Sequence, residues 1–390
     1  MTTKKTVIFF SGYLKKRGGG PSSYLFNLCK GLENNADGAM VRFISRGISE
    51  NSEALKARES FNKVAAFSAW AAALSFFLYN KIKYSEFWKN KKEIKSADIL
   101  HFHNVLDCIF LKKAAGKNCI KILTVHTPES IANEIPKDNF KAKILGKMRE
   151  TEMAAFEWAN VYLYPCQGAL DAHLEIFPYL SDNIKKKKVV FCPTGTEKLE
   201  ILESREKIRE KFGIPQDAFV ISFTGRHIKV KGFDLLANSV SEISKTGKKI
   251  YLLTAGKGEL VEYFKNNSVL SGIWHHIDWT EAPGDIINAS DCFVLANRTA
   301  FFDLALLEAL SVGVPIITTN VGGSTFVIGK SRGIIPAKPE IGDITEKISG
   351  VIKMSQAERS ELGRQNIFSF QQNFTIEAFA KNYIKALKNL

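Results

Sequence analysis

The chain has 390 residues, too many for one hydrophobic core, and its length suits two domains of ordinary size. Hydrophobic residues make up 45% and charged residues 24%, the balance of a soluble globular protein. The net charge of +14 favours polyanionic partners: nucleic acid, an anionic membrane or phosphorylated small molecules. The cations are mostly dispersed lysines, without zinc-finger spacing or an RNA-binding signature, which argues against nucleic acid as a partner.

Cysteine usage and the first residues indicate the compartment. No two of the six cysteines form a C-x-x-C pair, and most lie in apolar runs, so buried, reduced thiols in a cytoplasmic protein are expected. The apolar run Val7–Phe10 is too short for a signal peptide and has basic residues on the wrong side. We interpret it as the first strand of a sheet.

Strand-like apolar runs alternate with helical patterns along the whole chain. In the first half these runs are Val7–Phe10, Val41–Ile44, Ile99–Phe102, Ile120–Val125, Val161–Tyr164 and Val189–Phe191. After a break at Cys192–Gly195 the pattern restarts with Phe219–Phe223, Ile250–Thr254, Cys292–Leu295 and Pro315–Thr318. This repetition predicts an α/β protein with two parallel sheets, each covered by helices on both faces.

The predicted domains are residues 1–192, residues 193–367 and a tail, 368–390. The tail has an amphipathic helical pattern that includes Phe374, Phe379 and Tyr383, for which core packing is the default expectation. Ligands of parallel sheets bind at the carboxyl ends of strands. With two similar domains, the sequence predicts a site in the cleft between them.

The segment Val64–Tyr79 is apolar nearly all round and has lysines on both sides. It is shorter than the roughly 20 residues that span a bilayer. Two interpretations remain open: a buried core helix, or a helix that docks on a membrane surface or a lipid tail with the help of Trp70 and Trp88.

The stretch Ser222–Asp234 carries two cations after a predicted strand. Arg226 and Lys231 lie five residues apart, on a loop that leads to the N-terminus of an apolar helix. A guanidinium, an ammonium and helix-end amides together suit a diphosphate. Two solvated loop cations are the alternative interpretation.

Three histidines lie at the ends of adjacent predicted strands. His126 follows a central strand, and His101 and His103 end the preceding one, which favours a polar site on that side of the sheet. No carboxylate or cysteine joins them at ligand spacing, so a metal is not expected. The loop Gly18–Gly20 lies between the first strand and a helix, where glycines let backbone approach a ligand closely.

The stretch Asn297–Glu308 predicts a second ligand-binding element. A helix is expected to start near Phe302 or Asp303, directly after a strand and its loop. Glu308 lies in the first two turns of that helix among apolar neighbours, and its carboxylate suits the two hydroxyls of a ribose. A solvated surface glutamate is the alternative.

These features resemble the retaining glycosyltransferases of family 4, which have the two-domain GT-B fold. The residues that carry the resemblance are Gly18–Gly20, Gly225–Arg226 with Lys231–Gly232, Ala255–Gly258, Leu304–Pro315 and Val321–Gly323. The resemblance covers most of the chain and is strongest over residues 219–325. It implies a GT-B fold with two Rossmann-like domains and an interdomain cleft.

The resemblance also implies roles for individual residues. Arg226 and Lys231 would bind the diphosphate of a nucleotide-sugar, Glu308 its ribose, and Asp278–Thr280, with Trp279, would border the base. His126 would face the sugar and its acceptor. The implied donor-binding set is completed by Gly19, Gly20, Gly225, Thr299, Phe302 and Leu304.

One position departs from the family pattern. The family usually carries Glu eight residues before the position of Glu308, followed by Gly-Phe-Gly, whereas this chain has Ala300 followed by Phe301, Phe302 and Asp303. Either Asp303 takes over contacts with the donor sugar, which we favour, or catalysis is impaired and the chain is a silent partner subunit.

The resemblance therefore implies retaining transfer of a sugar from a nucleoside diphosphate sugar to a saccharide acceptor, without metal or cofactor. The basic first domain and its apolar helix suggest a lipid-linked acceptor, as in surface polysaccharide assembly, and peripheral contact with the inner membrane face. A GT-B nucleotide-sugar epimerase and a silent, nucleotide-binding subunit are the alternatives.

Overall fold

A computed structural model describes most of the chain. The described residues are 5–11, 16, 20–33, 39–45, 89–126, 142–266 and 270–390. The chain divides into two compact units. Unit 1 comprises Met1–Tyr164, His173–Cys192 and Ala380–Leu390, and unit 2 comprises Pro165–Ala172 and Pro193–Phe379. The apolar segment at residues 64–79 lies outside the described residues.

Unit 1 contains one sheet whose strands run parallel. Its strands are β1 (Lys5–Ser11), β2 (Ala39–Ser45), β3 (Ile99–Phe102), β4 (Ile120–Thr124), β5 (Val161–Tyr164) and β6 (Lys188–Phe191), in the spatial order β2-β1-β3-β4-β5-β6. Every residue of β3 and β5 is buried, as expected for inner strands that helices cover on both faces. The six strand runs predicted in the first half of the sequence all form this sheet.

Unit 2 contains a second parallel sheet. Its strands are β7 (Phe219–Thr224), β8 (Ile250–Ala255), β9 (Trp274–Ile277), β10 (Cys292–Leu295), β11 (Ile316–Thr319) and β12 (Ile334–Ala337), in the order β12-β11-β10-β7-β8-β9. The direction in which strands are added reverses between β7 and β10. In doubly wound sheets the crevice at such a reversal, at the carboxyl ends of the strands, is where ligands bind.

The helices fill the connections between strands. In chain order they are α1 (Gly20–Glu33), α2 (Lys91–Ser96), α3 (Val105–Leu111), α4 (Ala142–Trp158), α5 (Gln167–Ile176), α6 (Ser181–Lys185), α7 (Arg205–Lys211), α8 (Phe233–Ser244), α9 (Leu260–Lys265), α10 (Pro283–Asn288), α11 (Leu304–Val312), α12 (Ser324–Ile328), α13 (Ile341–Lys353), α14 (Gln356–Asn373) and α15 (Ile376–Lys388). Single 3₁₀ turns occur at Pro178–Leu180 and Lys229–Lys231. Apolar residues of β7, β10, α8 and α11 form the main core of unit 2.

The C-terminal tail differs from the single helix that its pattern predicts. α14 ends at Asn373 and α15 begins at Ile376, so the chain turns at Phe374 and Thr375. Phe374 packs in the core of unit 2, whereas the buried Tyr383 belongs to unit 1. The residues from Ala380 to Leu390 therefore belong to unit 1.

A buried charge network holds together the amino ends of β7 and β10. The Asp291 carboxylate accepts hydrogen bonds from Arg205, from Arg209 at 2.8 Å and from the backbone N–H of Val220 at 2.8 Å. The Arg209 side chain is fully buried and also donates to the carbonyls of Ala289 and Ala218, at 2.9 Å each. The network leaves few donors of this buried guanidinium unsatisfied.

We expect Asp291→Ala to lower the unfolding free energy by about 3 kcal/mol, because it leaves a buried guanidinium without its counter-charge. Asp217→Ala is the matched control, since Asp217 pairs with Lys249 and both side chains are more than 60% exposed. Solvent screens that pair, so its loss should barely change stability. Urea unfolding measures both variants, and equal losses would contradict the assigned role of Asp291.

Candidate functional site

The loop after β7 is pressed against the loop after β8. Gly225 and Gly256 both have φ of +139°, and the N–H of Gly225 donates to the Ala255 carbonyl at 2.9 Å. A Cβ on Gly256 would lie 1.9 Å from the Gly225 carbonyl oxygen, so only glycine allows this approach. The tight packing fixes the backbone from which Arg226 projects.

Arg226 is exposed at the carboxyl end of β7. Among the described residues no carboxylate forms an ion pair with it and no side-chain hydrogen bond engages it. Its guanidinium is therefore an uncompensated positive charge at the point where the strand order of unit 2 reverses. This placement agrees with the predicted anion-binding role, which stays a prediction.

Lys231 ends the 3₁₀ turn that follows Arg226. The next residue, Gly232, has φ of +65°, and a Cβ there would lie 1.7 Å from the Ala296 carbonyl oxygen, so the turn packs directly on the loop after β10. Arg298 clamps the same contact by donating to the Lys229 carbonyl at 2.6 Å and to both Asp234 oxygens at 2.7 and 2.8 Å. The turn is thus held by the packing of Gly232 on Ala296 and by the hydrogen bonds of Arg298.

The Lys231 ammonium forms an ion pair with Asp303, the residue that the sequence assigned to the donor sugar. The second carboxylate oxygen of Asp303 accepts a hydrogen bond of 2.5 Å from the side-chain amide of Asn297. The Lys231 and Asp303 side chains are 20% and 16% exposed, so solvent reaches the pair. The structure therefore brings two predicted catalytic residues into direct contact.

Asn297 is fully buried and was not among the predicted site residues. Its side-chain oxygen is buried and has no hydrogen-bond partner within the described ranges. A polar residue two positions after an entirely apolar strand was the available signal. Burying an acceptor without a hydrogen-bond partner is costly, which marks this oxygen as a candidate ligand-binding atom.

α11 begins at Leu304, and Asp303 is its N-cap residue in an extended conformation. The Asp303 side chain does not cap the helix, because Lys231 and Asn297 hold it instead. The first amides of α11 are consequently open to an anionic ligand. Glu308 is half-buried in the second turn, in keeping with the expectation that it does not lie on a fully solvated face.

Ala300 occupies the position where the resembled family has glutamate, and its side chain is buried. Its carbonyl accepts a hydrogen bond of 3.1 Å from the N–H of Gly323. Cβ atoms on Gly322 and Gly323 would lie 1.8 Å from the carbonyl oxygens of Ala300 and Phe301, respectively. The loop at Val321–Gly323 thus packs on the backbone of Ala300 and Phe301. In the loop that contains Ala300, the carboxylate belongs to Asp303.

The other predicted donor-binding residues are more dispersed. Thr299, Phe302 and Leu304 are half-buried around the start of α11, and Phe302 packs 6.3 Å from the Phe326 ring. Trp279 is 59% exposed after β9, the edge strand two places from β7. Its contact with a base stays a prediction.

Of the predicted glycine loop, Gly18 and Gly19 lie outside the described residues. Gly20 is the first residue of α1, and a Cβ built on it would meet nothing within 4 Å. Crowding within the described structure therefore does not require glycine at this position.

The three histidines predicted to form a polar site do lie together in unit 1. His103 Nδ1 is 2.9 Å from His126 Nε2, and the His101 and His103 rings are 4.2 Å apart. His101 is held by Thr124 Oγ1 at 2.6 Å and by the Tyr383 hydroxyl at 2.9 Å. Tyr383 was predicted only to pack in a core, but it also orients this cluster.

Burial lowers the pKa of each histidine in the chain. For His101 and His103 the pKa falls well below the ordinary range, and for His126 and His227 it falls to about 3. The pKa values of His173, His275 and His276 are lowered by burial as well. All these imidazoles are accordingly neutral near pH 7.

A cavity of about 690 Å³ lies at the amino ends of the strands of the second sheet, away from Arg226 and Lys231. Its lining includes Arg205 at the start of α7, and Phe219, Ile250 and Asp291, which begin or directly precede strands of unit 2. Because ligands of doubly wound sheets bind at the carboxyl edge, the Arg226–Lys231–Asp303 region is the candidate site and this cavity is not.

Within the described ranges, no group of three or more metal-ligating side chains is assembled. In the same ranges, none of the helices combines the length and apolar character needed to cross a membrane. The described cysteines, Cys29 among them, are free thiols.

Comparison with known proteins identifies the class. Residues 204–367 match the family model "Glycosyl transferases group 1". The chain is 24% identical over 314 residues to "O-antigen biosynthesis glycosyltransferase WclY" from Escherichia coli, covering 77% of this chain and 81% of the relative. It is 25% identical over 278 residues to an Escherichia coli "UDP-Gal:alpha-D-GlcNAc-diphosphoundecaprenol alpha-1,3-galactosyltransferase", covering 66% of each.

The fold has solved counterparts. The structure of sucrose-phosphate synthase (tll1590) from Thermosynechococcus elongatus superposes with a TM-score of 0.71 at 16% identity, covering 99% of both chains. The chain therefore has the GT-B fold, and with the family match and the named relatives it is a glycosyltransferase. Its assignment to family 4 in particular stays a prediction.

We expect stability to fall as the pH drops from about 6.5 toward 4. In that window the unfolded chain binds protons on histidines that the folded chain keeps neutral, so each affected group lowers the unfolding free energy by up to ~1.4 kcal/mol per pH unit. Urea midpoints at pH 7.5, 6.5 and 5.5 measure the effect. His227→Leu should show a shallower pH dependence than wild type, and midpoints that rise on acidification would contradict the prediction.

Proposed function

We propose that this glycosyltransferase moves a sugar from a nucleoside diphosphate sugar to a hydroxyl of a saccharide acceptor, with retention of the anomeric configuration. The observation that carries the proposal is the placement of Arg226 and Lys231 where the strand order of unit 2 reverses. Phosphate groups bind there in doubly wound sheets, because amides and cations converge on the carboxyl edge.

The diphosphate would meet three sources of positive charge. Arg226 offers an exposed guanidinium that can take two phosphate oxygens at once. Lys231 offers a point charge on a rigid turn, and the N-terminus of α11 offers amides that no side chain of the described structure caps. These groups would stabilise the negative charge that the diphosphate acquires as it leaves.

The Lys231–Asp303 ion pair implies an exchange of partners when the donor binds. Asp303 compensates the charge of Lys231, so an incoming diphosphate would compete with that carboxylate for the ammonium. Asp303 would remain attached to Asn297 through its other oxygen. Donor binding would thereby release one Asp303 oxygen that can accept a hydrogen bond from a sugar hydroxyl.

This exchange would give Asp303 the task of the missing family glutamate. Ala300 is buried and contributes only a methyl group, so the carboxylate of this loop comes three residues later. The unpaired side-chain oxygen of Asn297 belongs to the amide that holds Asp303 and would accept a hydrogen bond from a second sugar hydroxyl. Two neighbouring acceptors suit a sugar with adjacent hydroxyls and would set donor choice.

The proposed step balances without a protein nucleophile. The bond between the anomeric carbon and the diphosphate oxygen breaks, and the acceptor oxygen bonds to that carbon from the same face. The acceptor proton passes to a phosphate oxygen of the leaving diphosphate. The protein binds, orients and stabilises charge, and the step needs neither a metal nor a cofactor.

The remaining donor contacts follow from position. Glu308, half-buried in the second turn of α11, would accept hydrogen bonds from the ribose hydroxyls. Trp279, exposed after β9, would border the base. Uracil is the base we propose, because one relative is named for a UDP-linked donor.

The acceptor is proposed to be a lipid-linked saccharide in surface polysaccharide assembly. One relative is named for O-antigen biosynthesis and another for a diphosphoundecaprenol acceptor. The net charge of +14 suits an acceptor presented at an anionic membrane surface. We therefore propose a cytoplasmic enzyme with peripheral contact at the inner membrane face.

We expect Lys231→Met and Arg226→Met each to lower kcat/KM by ~10²–10³, since each removes a cation that stabilises the leaving group. Lys229→Met is the matched control, because Lys229 lies exposed on the same turn and its side chain is not part of the proposed site. Release of UDP from UDP-sugars in the presence of a lipid-linked saccharide measures the rate. Wild-type rates in both site variants would overturn the diphosphate assignment.

Asp303→Asn should separate the two functions of the ion pair. We expect UDP to bind this variant at least as tightly as wild type, because Lys231 no longer has a competing carboxylate, while sugar transfer falls by ~10²-fold. Isothermal titration with UDP and steady-state turnover test the two parts. Weaker UDP binding with unchanged transfer would place Asp303 at the nucleotide and not at the sugar.

A further inference from the structure

His126 has a neighbour that determines what its imidazole can do. It lies two residues beyond β4 and is half-buried, and its Nε2 is 2.9 Å from Nδ1 of the buried His103. The two rings stack at 5.1 Å with an interplanar angle of 24°. One proton must therefore lie between these nitrogens, donated by one ring and accepted by the other.

The packing around the pair keeps both rings in place. The Tyr24 ring contacts His126 edge-on at 4.7 Å and His103 at 5.5 Å, and Phe9 lies 5.8 Å from His103. The His101 ring lies 4.2 Å from the His103 ring at an interplanar angle of 35° and is itself held by Thr124 and Tyr383. In the described structure the titratable groups that contact the pair are His101 and Tyr24, and Tyr383 reaches the pair only through His101.

Both imidazoles of the pair are neutral. Burial lowers the pKa of His103 well below its usual range, and the neighbouring His101 and His126 lower it further. Burial alone lowers the pKa of His126 to about 3. Each ring consequently carries one N–H, on either Nδ1 or Nε2.

Either His103 or His126 donates the proton that lies between the two rings, and the unpaired nitrogen of His103 shows which one does. His103 Nε2 is buried and has no hydrogen-bond partner among the described residues. A proton on that nitrogen would be a buried, orphaned N–H donor, which is rarer in proteins than an unused lone pair. The proton of His103 therefore lies on Nδ1, where it donates to His126 Nε2.

We propose that His103 is a positioning residue that holds His126 as the Nδ1–H tautomer, so that His126 presents a hydrogen-bond donor to an oxygen of the sugar substrates. Because His126 Nε2 accepts from His103, the only N–H of His126 is at Nδ1. No hydrogen bond engages that nitrogen within the described structure. The contact with substrate rests on the proposed function, whereas the tautomer rests on the geometry of unit 1 alone.

The tautomer can be measured without any activity assay. In protein labelled with ¹⁵N-histidine, long-range ¹H–¹⁵N correlation spectra distinguish Nδ1–H from Nε2–H rings, and His103→Asn and His126→Gln variants assign the two signals. We expect both rings to be Nδ1–H at pH 7.5. An Nε2–H pattern for His126, or a charged ring in either residue, would overturn the proposal.

Two substitutions of His103 test its action on His126. Asn places an amide N–H near the position of Nδ1 and should keep kcat/KM within ~3-fold of wild type, whereas Leu removes the donor and should lower it by ~10-fold. His103→Asp offers only acceptors, so His126 must turn its proton toward residue 103. That variant should lose activity and acquire a pH dependence between 5 and 8, because the carboxylate raises the pKa of His126. Equal activity of the Asn and Leu variants would overturn the positioning role.

His126→Ala separates this inference from the proposed transfer reaction. We expect it to lower kcat/KM at least as much as His103→Leu, and the double variant to lose no more than His126→Ala alone, because His103 acts only through His126. Wild-type activity in His126→Ala would overturn the donor role of His126. A large loss in Lys231→Met, measured alongside, would show that the transfer reaction stands in that case.

Discussion

The candidate site of unit 2 is organised around one contact, the ion pair of Lys231 with Asp303 and the hydrogen bond from Asn297 to the same carboxylate. It joins the turn after β7 to the N-terminus of α11, the two elements that border the reversal of strand order. Two partners hold the Asp303 carboxylate at once, and so it does not cap its own helix. Lys231 and Asp303 thereby compensate each other's charge, while Arg226 is exposed and pairs with no carboxylate of the described residues.

The backbone around this contact allows little adjustment. Gly232 lies against the Ala296 carbonyl and Gly256 against the Gly225 carbonyl, both at distances that exclude any Cβ. Such close approaches fix the backbone from which Arg226 and Lys231 project. At the opposite edge of the sheet, the buried Arg209 and Asp291 hold the amino ends of β7 and β10 together. The candidate site and the buried charge network therefore lie at opposite edges of one sheet.

Much of this architecture could be predicted from the sequence, because apolar runs that alternate with helical patterns leave few folds open. The GT-B fold and the class of enzyme are confirmed. The strands β9 and β12 were missed: one reads Trp-His-His-Ile and the other contains Pro336, and both are edge strands, where apolar patterning is weakest. Neither the Lys231–Asp303 pair nor the His103–His126 pair could be predicted, because spacing along the chain does not show which loops meet. The roles of the site residues stay predictions.

A crystal structure of the protein with bound UDP tests the central claim most directly. The account predicts that Lys231 Nζ and the Arg226 guanidinium lie within hydrogen-bond distance of the diphosphate, and that Asp303 has left Lys231 while it keeps its bond to Asn297. A complex in which UDP is bound elsewhere, with the Lys231–Asp303 ion pair intact and Arg226 turned to solvent, would contradict it.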